Sequence, residues 1–127
     1  MNSEPASAGG IAKVDIGALE PDVEMHFTRH AELRRLIPND QSARVAHVIF
    51  SEGANTHWHH HHGLQLLWFF DGEGEVSTRE GESLTCSPGD LVSTEPNVSH
   101  RHGAAAGHTA GHLAITIGAT VWEGDDI

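Results

Sequence analysis

Tyrosine is absent from this chain of 127 residues, and cysteine occurs once, at Cys86. The first absence removes any mechanism that needs a phenol as acid or base. The second removes an internal disulfide, so no covalent staple holds the fold, and Cys86 reads as a packing residue. Basic residues are scarce: seven Lys and Arg stand against 18 Asp and Glu, a net charge of −11 with the histidines neutral. Such a chain repels phosphate backbones and anionic bilayers, so neither nucleic acid nor a membrane is expected as a partner. No apolar run approaches the ~20 residues of a membrane helix. The opening Met1-Asn2-Ser3-Glu4-Pro5 lacks the basic and apolar regions of a secretory signal. A cytoplasmic location is the expectation.

What the chain has in excess is histidine, 12 residues of it. That makes metal binding the first hypothesis and implies a net charge that rises as pH falls toward 6. The length suits one domain, and a hydrophobic share of 38% with 20% charged residues is ordinary for a globular protein. The dense run Leu66-Leu67-Trp68-Phe69-Phe70 argues against disorder.

Residues 1–10, small, polar and glycine-ended, read as a flexible tail before a single domain over 11–127. Val23 to Thr28 reads as a strand. His30 to Ile37 reads as a short helical turn that Pro38 and Asn39 would stop. From Arg44 onward short strands alternate with turns. Val45–Phe50, Leu64–Phe70, Glu75–Arg79, Ser83–Cys86, Leu91–Thr94, His100–His102 and Leu113–Ile117 are the expected strands. Leu64–Phe70 is apolar at both parities, which predicts burial on both faces. Asp71-Gly72-Glu73-Gly74 is an expected turn, and Glu80-Gly81 an expected hairpin. Frequent short strands with glycine turns predict an all-β antiparallel sandwich or barrel that ends just past the last strand.

His59 and His61 lie two apart, so both imidazoles point to one side of an extended segment. Gln65 shares their parity. His100 and His102 repeat the His-x-His pattern, and in an antiparallel barrel the two pairs can face each other across the lumen. Three imidazoles and an amide oxygen would then hold one divalent metal, with positions left for water or substrate. The four consecutive histidines 59–62 sit mid-chain among strand signals, which argues against a purification tag. A solvated cluster with adventitious metal affinity is the alternative reading. His60 and His62 point away from the site by parity. His26, His30 and His57 read as surface or packing residues, and His47 can face either way.

The spacing Gly53, five residues, His59, one, His61, three, Gln65, six, Gly72 resembles the first cupin motif, with Gln65 in place of the usual glutamate. Gly89, five residues, Glu95-Pro96-Asn97, two, His100 resembles the second. There Glu95 stands for proline, Asn97 for glycine and Ala104 for the final asparagine. His100-Arg101-His102-Gly103-Ala104-Ala105, then Thr109 to Ile115, and the ending Val121-Trp122-Glu123 are similar to one branch of small single-domain cupins. That branch includes the manganese-dependent hydroxynitrile lyases and carboxymuconolactone-decarboxylase-like cupins. His62 departs from a proline common after the second histidine. The resemblance implies an antiparallel jelly-roll β-barrel, with its metal-site motifs within 53–112. His59, His61, Gln65 and His100 would be metal ligands, and His102 and His112 would line the cavity.

Neutral ligands leave the full charge on a divalent ion, which favours anionic ligands in a cavity of low dielectric. Manganese or iron suits the amide oxygen, with zinc or nickel as other candidates. The resemblance and this chemistry imply a lyase acting on a small hydroxyl compound, with His102 or His112 as general base. A three-histidine iron dioxygenase is one alternative; a binding cupin with a sensor, isomerase or cyclase role is another. Leu67 and Phe69 are expected in the cavity wall. Leu64, Leu66, Trp68 and Phe70 face the other way, which predicts a homodimer or tetramer.

Overall fold

A computed structural model describes residues 6–7, 10–22, 26–37 and 42–124. β1 (Ala6–Ser7) and β2 (Ala12–Lys13) form a separate two-stranded ribbon, ahead of a single 3-10 turn at Ile16–Ala18. The chain continues through β3 (Ala31–Arg35), β4 (Ala43–Phe50), β5 (His59–His61), β6 (Gln65–Gly72), β7 (Gly74–Thr78), β8 (Ser83–Cys86), β9 (Leu91–Thr94), β10 (His100–Ala104), β11 (Ala110–Ile117) and β12 (Thr120–Trp122). These make two antiparallel sheets, in the orders β12-β5-β10-β7-β8 and β3-β4-β11-β6-β9. The sheets face each other as a jelly-roll barrel, the expected all-β class. Among the described residues no helix is long and apolar enough to cross a membrane.

Alternation along the strands fills the interior. β4 sends in Val48 and Phe50, β6 sends in Leu67 and Phe69, and β7 sends in Val76. Phe50, Leu67 and Phe69 are wholly inaccessible. Truncating such a side chain typically costs about 3–5 kcal/mol for phenylalanine. Cys86 packs in the same cluster as Leu67 and Phe69, and burial beside Asp90 and Glu73 pushes its thiol up to about 11. It is an inert packing thiol at neutral pH.

Several expectations fail for identifiable reasons. The segment read as a helical turn at His30–Ile37 is strand β3, paired with β4 from Ala31↔Phe50 to Arg35↔Ala46. Ala-Glu-Leu-Arg-Arg favours a helix locally, but the edge of β4 offers a full ladder, and that tertiary pairing wins. Of the strand read over Val23–Thr28, residues 23–25 lie outside the described residues, and Phe27 makes an isolated bridge to Thr56. Pro38 and Asn39 also lie outside them. In the predicted tail, Ala6–Ser7 pairs with β2, while 1–5 and 8–9 lie outside the described residues.

β6 is not buried on both faces: Trp68 is 44% exposed while its neighbours Leu67 and Phe69 are sealed. The turn expected at Asp71–Gly74 is a corner, where the chain leaves the second sheet as β6 and enters the first as β7. Gly72 has φ +70, and a Cβ there would lie 2.0 Å from the Thr109 carbonyl oxygen; one at Gly74 would lie 2.2 Å from the Phe69 ring. Only glycine lets the strand cross this corner. The chain also continues past the expected last strand into β12, which pairs with β5.

The outer face of the second sheet carries a run of cross-strand apolar neighbours: Trp68 beside Leu91 and Leu113, and Ile115 beside Leu66 and Val45. Leu91 and Ile115 are 61% and 37% exposed. We propose that a second copy of the chain covers this face, as apolar sheet faces of this kind are rarely left to water. Light scattering after size exclusion should give a dimer or tetramer, and Ile115→Lys should shift it to monomer. A wild-type monomer at micromolar concentration would refute this.

Candidate metal centre

β5 and β10 lie side by side, with His59 opposite His100 in the register. Alternation then turns His59, His61, His100 and His102 onto one inner face, and all four are buried. The two His-x-His pairs therefore do not face each other across the lumen; they are neighbours in one sheet. Gln65 comes from β6 in the facing sheet. Its shared parity with His59 and His61 has no meaning across the turn at Gly63. Gln65 points inward because the inner face of its own sheet does.

The nitrogens that His59, His61 and His100 offer all lie within 4.8 Å of one another. Each ring is fixed from behind. His59 Nδ1 donates to the His57 carbonyl at 2.8 Å, and His100 Nδ1 donates to the Val98 carbonyl at 2.9 Å. A carbonyl only accepts, so both Nδ1 atoms carry the proton and both Nε2 atoms keep a lone pair. His61 Nδ1 lies 2.8 Å from Thr120 Oγ1, and its Nε2 is buried with no hydrogen-bond partner among the described residues. Gln65 Nε2 donates to Thr116 Oγ1 at 2.9 Å, which aims Oε1 at His100 Nε2, also at 2.9 Å. Both of the latter atoms are acceptors. Two lone pairs held this close repel unless a cation sits against both. Metal–ligand bonds of about 2.1 Å put neighbouring octahedral donors roughly 3 Å apart, so the spacing fits a divalent ion. Three histidines are thus positioned to hold a metal ion, with an amide oxygen beside them.

Burial keeps these rings uncharged. It lowers His59 well below the ordinary imidazole value, helped by His100, and takes His61 down to about 3 with help from His100 and Arg44. Burial also lowers His100. The neutral state is the one that ligates metal.

His102 and His112 meet across the barrel. His102 is on β10 of the first sheet and His112 on β11 of the second, and His102 Nδ1 lies 2.9 Å from His112 Nε2. Both are buried; burial lowers His102 well below the usual range and His112 to about 3. They line a cavity of about 310 Å³ together with His59, His61 and Gln65. His102 is the nearer to the triad, its ring centre 5.3 Å from that of His59 and 5.7 Å from that of His100.

Of the other histidines, His26 also lines the cavity, and the rest lie elsewhere. His60 pairs with Glu123 on the outer side of β5. His62 donates its backbone N–H to the Ala119 carbonyl at 3.0 Å, a bond that a proline at this position would forfeit. His47 stacks on Phe70, His30 is exposed beside Glu32, and His57 serves the site only through its carbonyl. His26 stacks on Trp122 at 3.9 Å, and Trp122 in turn packs on His59 at 4.6 Å. Asn97 has φ +66, a conformation asparagine tolerates best after glycine; its N–H donates to the His61 carbonyl at 2.8 Å.

Thr116, Thr120 and Arg44 escaped the sequence reading. Thr116 shares the inward parity of His112 and Ala114, a signal that was present. Thr120 lies on a three-residue strand too short to show a pattern.

Two outcomes follow. Thr120→Val should weaken manganese binding by about 10- to 100-fold while Thr120→Ser keeps it, as loss of a ligand's orienting partner does elsewhere; isothermal titration on chelator-stripped protein checks it. The metal-free fold should also lose stability in acid. Folded pKa values lie below the unfolded value of 6.5, so the unfolded chain takes up protons first and stability falls as pH drops from 6.5 toward about 3. The slope is about 1.4 kcal/mol per pH unit for each such imidazole, read from denaturant midpoints across that range.

The cupin domain family matches residues 46–118. Over 78 residues the chain is 40% identical to an (R)-mandelonitrile lyase of Granulicella tundricola, covering 61% of this chain and 60% of that protein. Over 69 residues it is 30% identical to an L-ectoine synthase of Vibrio campbellii, covering 54% of each. The chain thus spans between half and two thirds of the length of these curated relatives. A crystal structure of a cupin-like protein from Thermotoga maritima superposes with a TM-score of 0.76 at 32% identity, covering 82% of this chain and 84% of that one. With the two facing sheets, the inward histidines on adjacent strands and a family match over more than half its length, this chain belongs to the cupin domain family.

Proposed function

We propose that this cupin is a metal-dependent lyase that breaks, or in reverse forms, the carbon–carbon bond beside a hydroxyl group in a small molecule. His59, His61, Gln65 and His100 are the metal ligands, and His102, backed by His112, is the general base. The observation that carries this reading is an uncharged donor set sharing one small cavity with a buried imidazole pair. The partial likeness to an (R)-mandelonitrile lyase supports it. One divalent transition metal per chain, manganese or iron by preference, supplies Lewis acidity that lowers the pKa of a hydroxyl.

The chain's own groups handle the proton. His102 enters the reaction neutral and so has a lone pair to offer. It accepts the hydroxyl proton of a 2-hydroxy nitrile, gaining basicity as negative charge develops beside it. Its contact with His112 shares the resulting positive charge. The C–O bond becomes a carbonyl, and the neighbouring C–C bond breaks with its electron pair leaving as cyanide. The imidazolium returns its proton to give hydrogen cyanide, so the step balances without any oxidant or reductant.

Release of benzaldehyde from mandelonitrile measures the activity. His102→Ala should lower kcat by about 10²- to 10⁴-fold, the range for a lost general base, and chelation should abolish turnover. Full activity in metal-free protein would refute the reading. The three-histidine set also favours an iron dioxygenase as a second reading; oxygen uptake with Fe(II) and a diketone, thiol or catechol would favour it instead.

A further inference from the structure

The charge lining the cavity is opposite to that of the chain. Although the sequence carries 18 Asp and Glu, none of those among the described residues lines the cavity, whereas Arg35 and Arg44 both do. Arg35 is engaged by Asp22, Nε to Oδ2 at 2.9 Å. Arg44 is different. Its Nη2 donates to the Gly118 carbonyl at 2.6 Å and to Thr120 Oγ1 at 2.8 Å, both neutral oxygens. Neither Nε nor Nη1 is used in those bonds. The guanidinium is half-buried, and burial together with Arg35 lowers its pKa, so the pair feel each other's charge.

A partly buried guanidinium held, among the described residues, by neutral oxygens alone is costly to desolvate, and a carboxylate satisfies its planar fork with two charge-assisted bonds. Arg44 stands two hydrogen bonds from His61, through Thr120. A ligand of a few heavy atoms can therefore touch both Arg44 and the histidine triad.

We propose that the natural substrate is a small hydroxy compound bearing a carboxylate, and that Arg44 receives that carboxylate at the end of the cavity beyond Thr120. This deepens the lyase reading and rests on it for the place of the reacting hydroxyl, since mandelonitrile itself carries no charge. Arg44 sets the class of substrate: it selects anions in a protein whose acidic exterior would otherwise turn them away.

Titration calorimetry of mandelate against mandelamide, two ligands of nearly equal shape, tests it in manganese-loaded and in chelator-stripped protein. The carboxylate should bind about tenfold or more tightly in both forms, the gain expected from hydrogen bonds to a charged group. Arg44→Gln should shrink that ratio to about threefold or less while mandelamide binding holds. Equal affinity for acid and amide in stripped wild type overturns the proposal, and needs no variant to fold. A preference that survives Arg44→Gln, or one that exists only with metal bound, overturns it too. Loss of mandelonitrile turnover with the anion preference intact would instead sink the lyase reading alone.

Discussion

Five imidazoles buried between two sheets are the constraint around which the rest of this protein is arranged. A buried ring must be neutral, and each of its nitrogens needs a partner or must face something that serves as one. Here the rear nitrogens of His59, His61 and His100 are bonded to the His57 carbonyl, Thr120 and the Val98 carbonyl, and their front lone pairs are left to converge. The acceptor of Gln65 is turned onto the same point by Thr116. Interior packing, second-layer threonines and strand register all serve this one arrangement. Removing a single rear partner frees a ring to rotate, so residues that touch no ligand still govern the site.

The two polar contacts at the centre, Gln65 with His100 and His102 with His112, each cross from one sheet to the other. Beside them lies the cavity, and Phe50 packs against both rings of the second pair. The apolar clusters around Phe50 and around Leu67 and Phe69 flank it and bear the stability that a polar centre cannot. Charge changes in the same direction: an acidic sequence overall, uncharged inward imidazoles, and a cationic guanidinium in the cavity lining.

Much of this was legible in the residues. Alternation from Arg44 onward gave the strands, and the two-residue spacing in His59/His61 and His100/His102 put each pair on one face. Local pattern could not say which strands would be neighbours, because pairing of β5 with β10 joins residues far apart in sequence. So the two pairs were expected on opposite walls and lie on one. Gln65 is expected on two grounds: a shared parity that the turn at Gly63 cancels, and the cupin-like spacing, which does not depend on it. β3 was hidden by helix-favouring residues, and β12 by its shortness, although it brings both Thr120 and Trp122 to the site. Arg44 carries no sequence signal of its own: only the folded chain shows that its partners are neutral.

The most direct measurement is the metal content of protein prepared without a metal-affinity column, compared between two paired variants. The account predicts about one divalent ion per chain in wild type and in His60→Ala with His62→Ala, whose side chains lie outside the donor set. It predicts near-complete loss in His59→Ala with His100→Ala. Metal that stays with the second pair removed and disappears with the first would mean that the histidine run binds ions only at the surface, and would contradict the account.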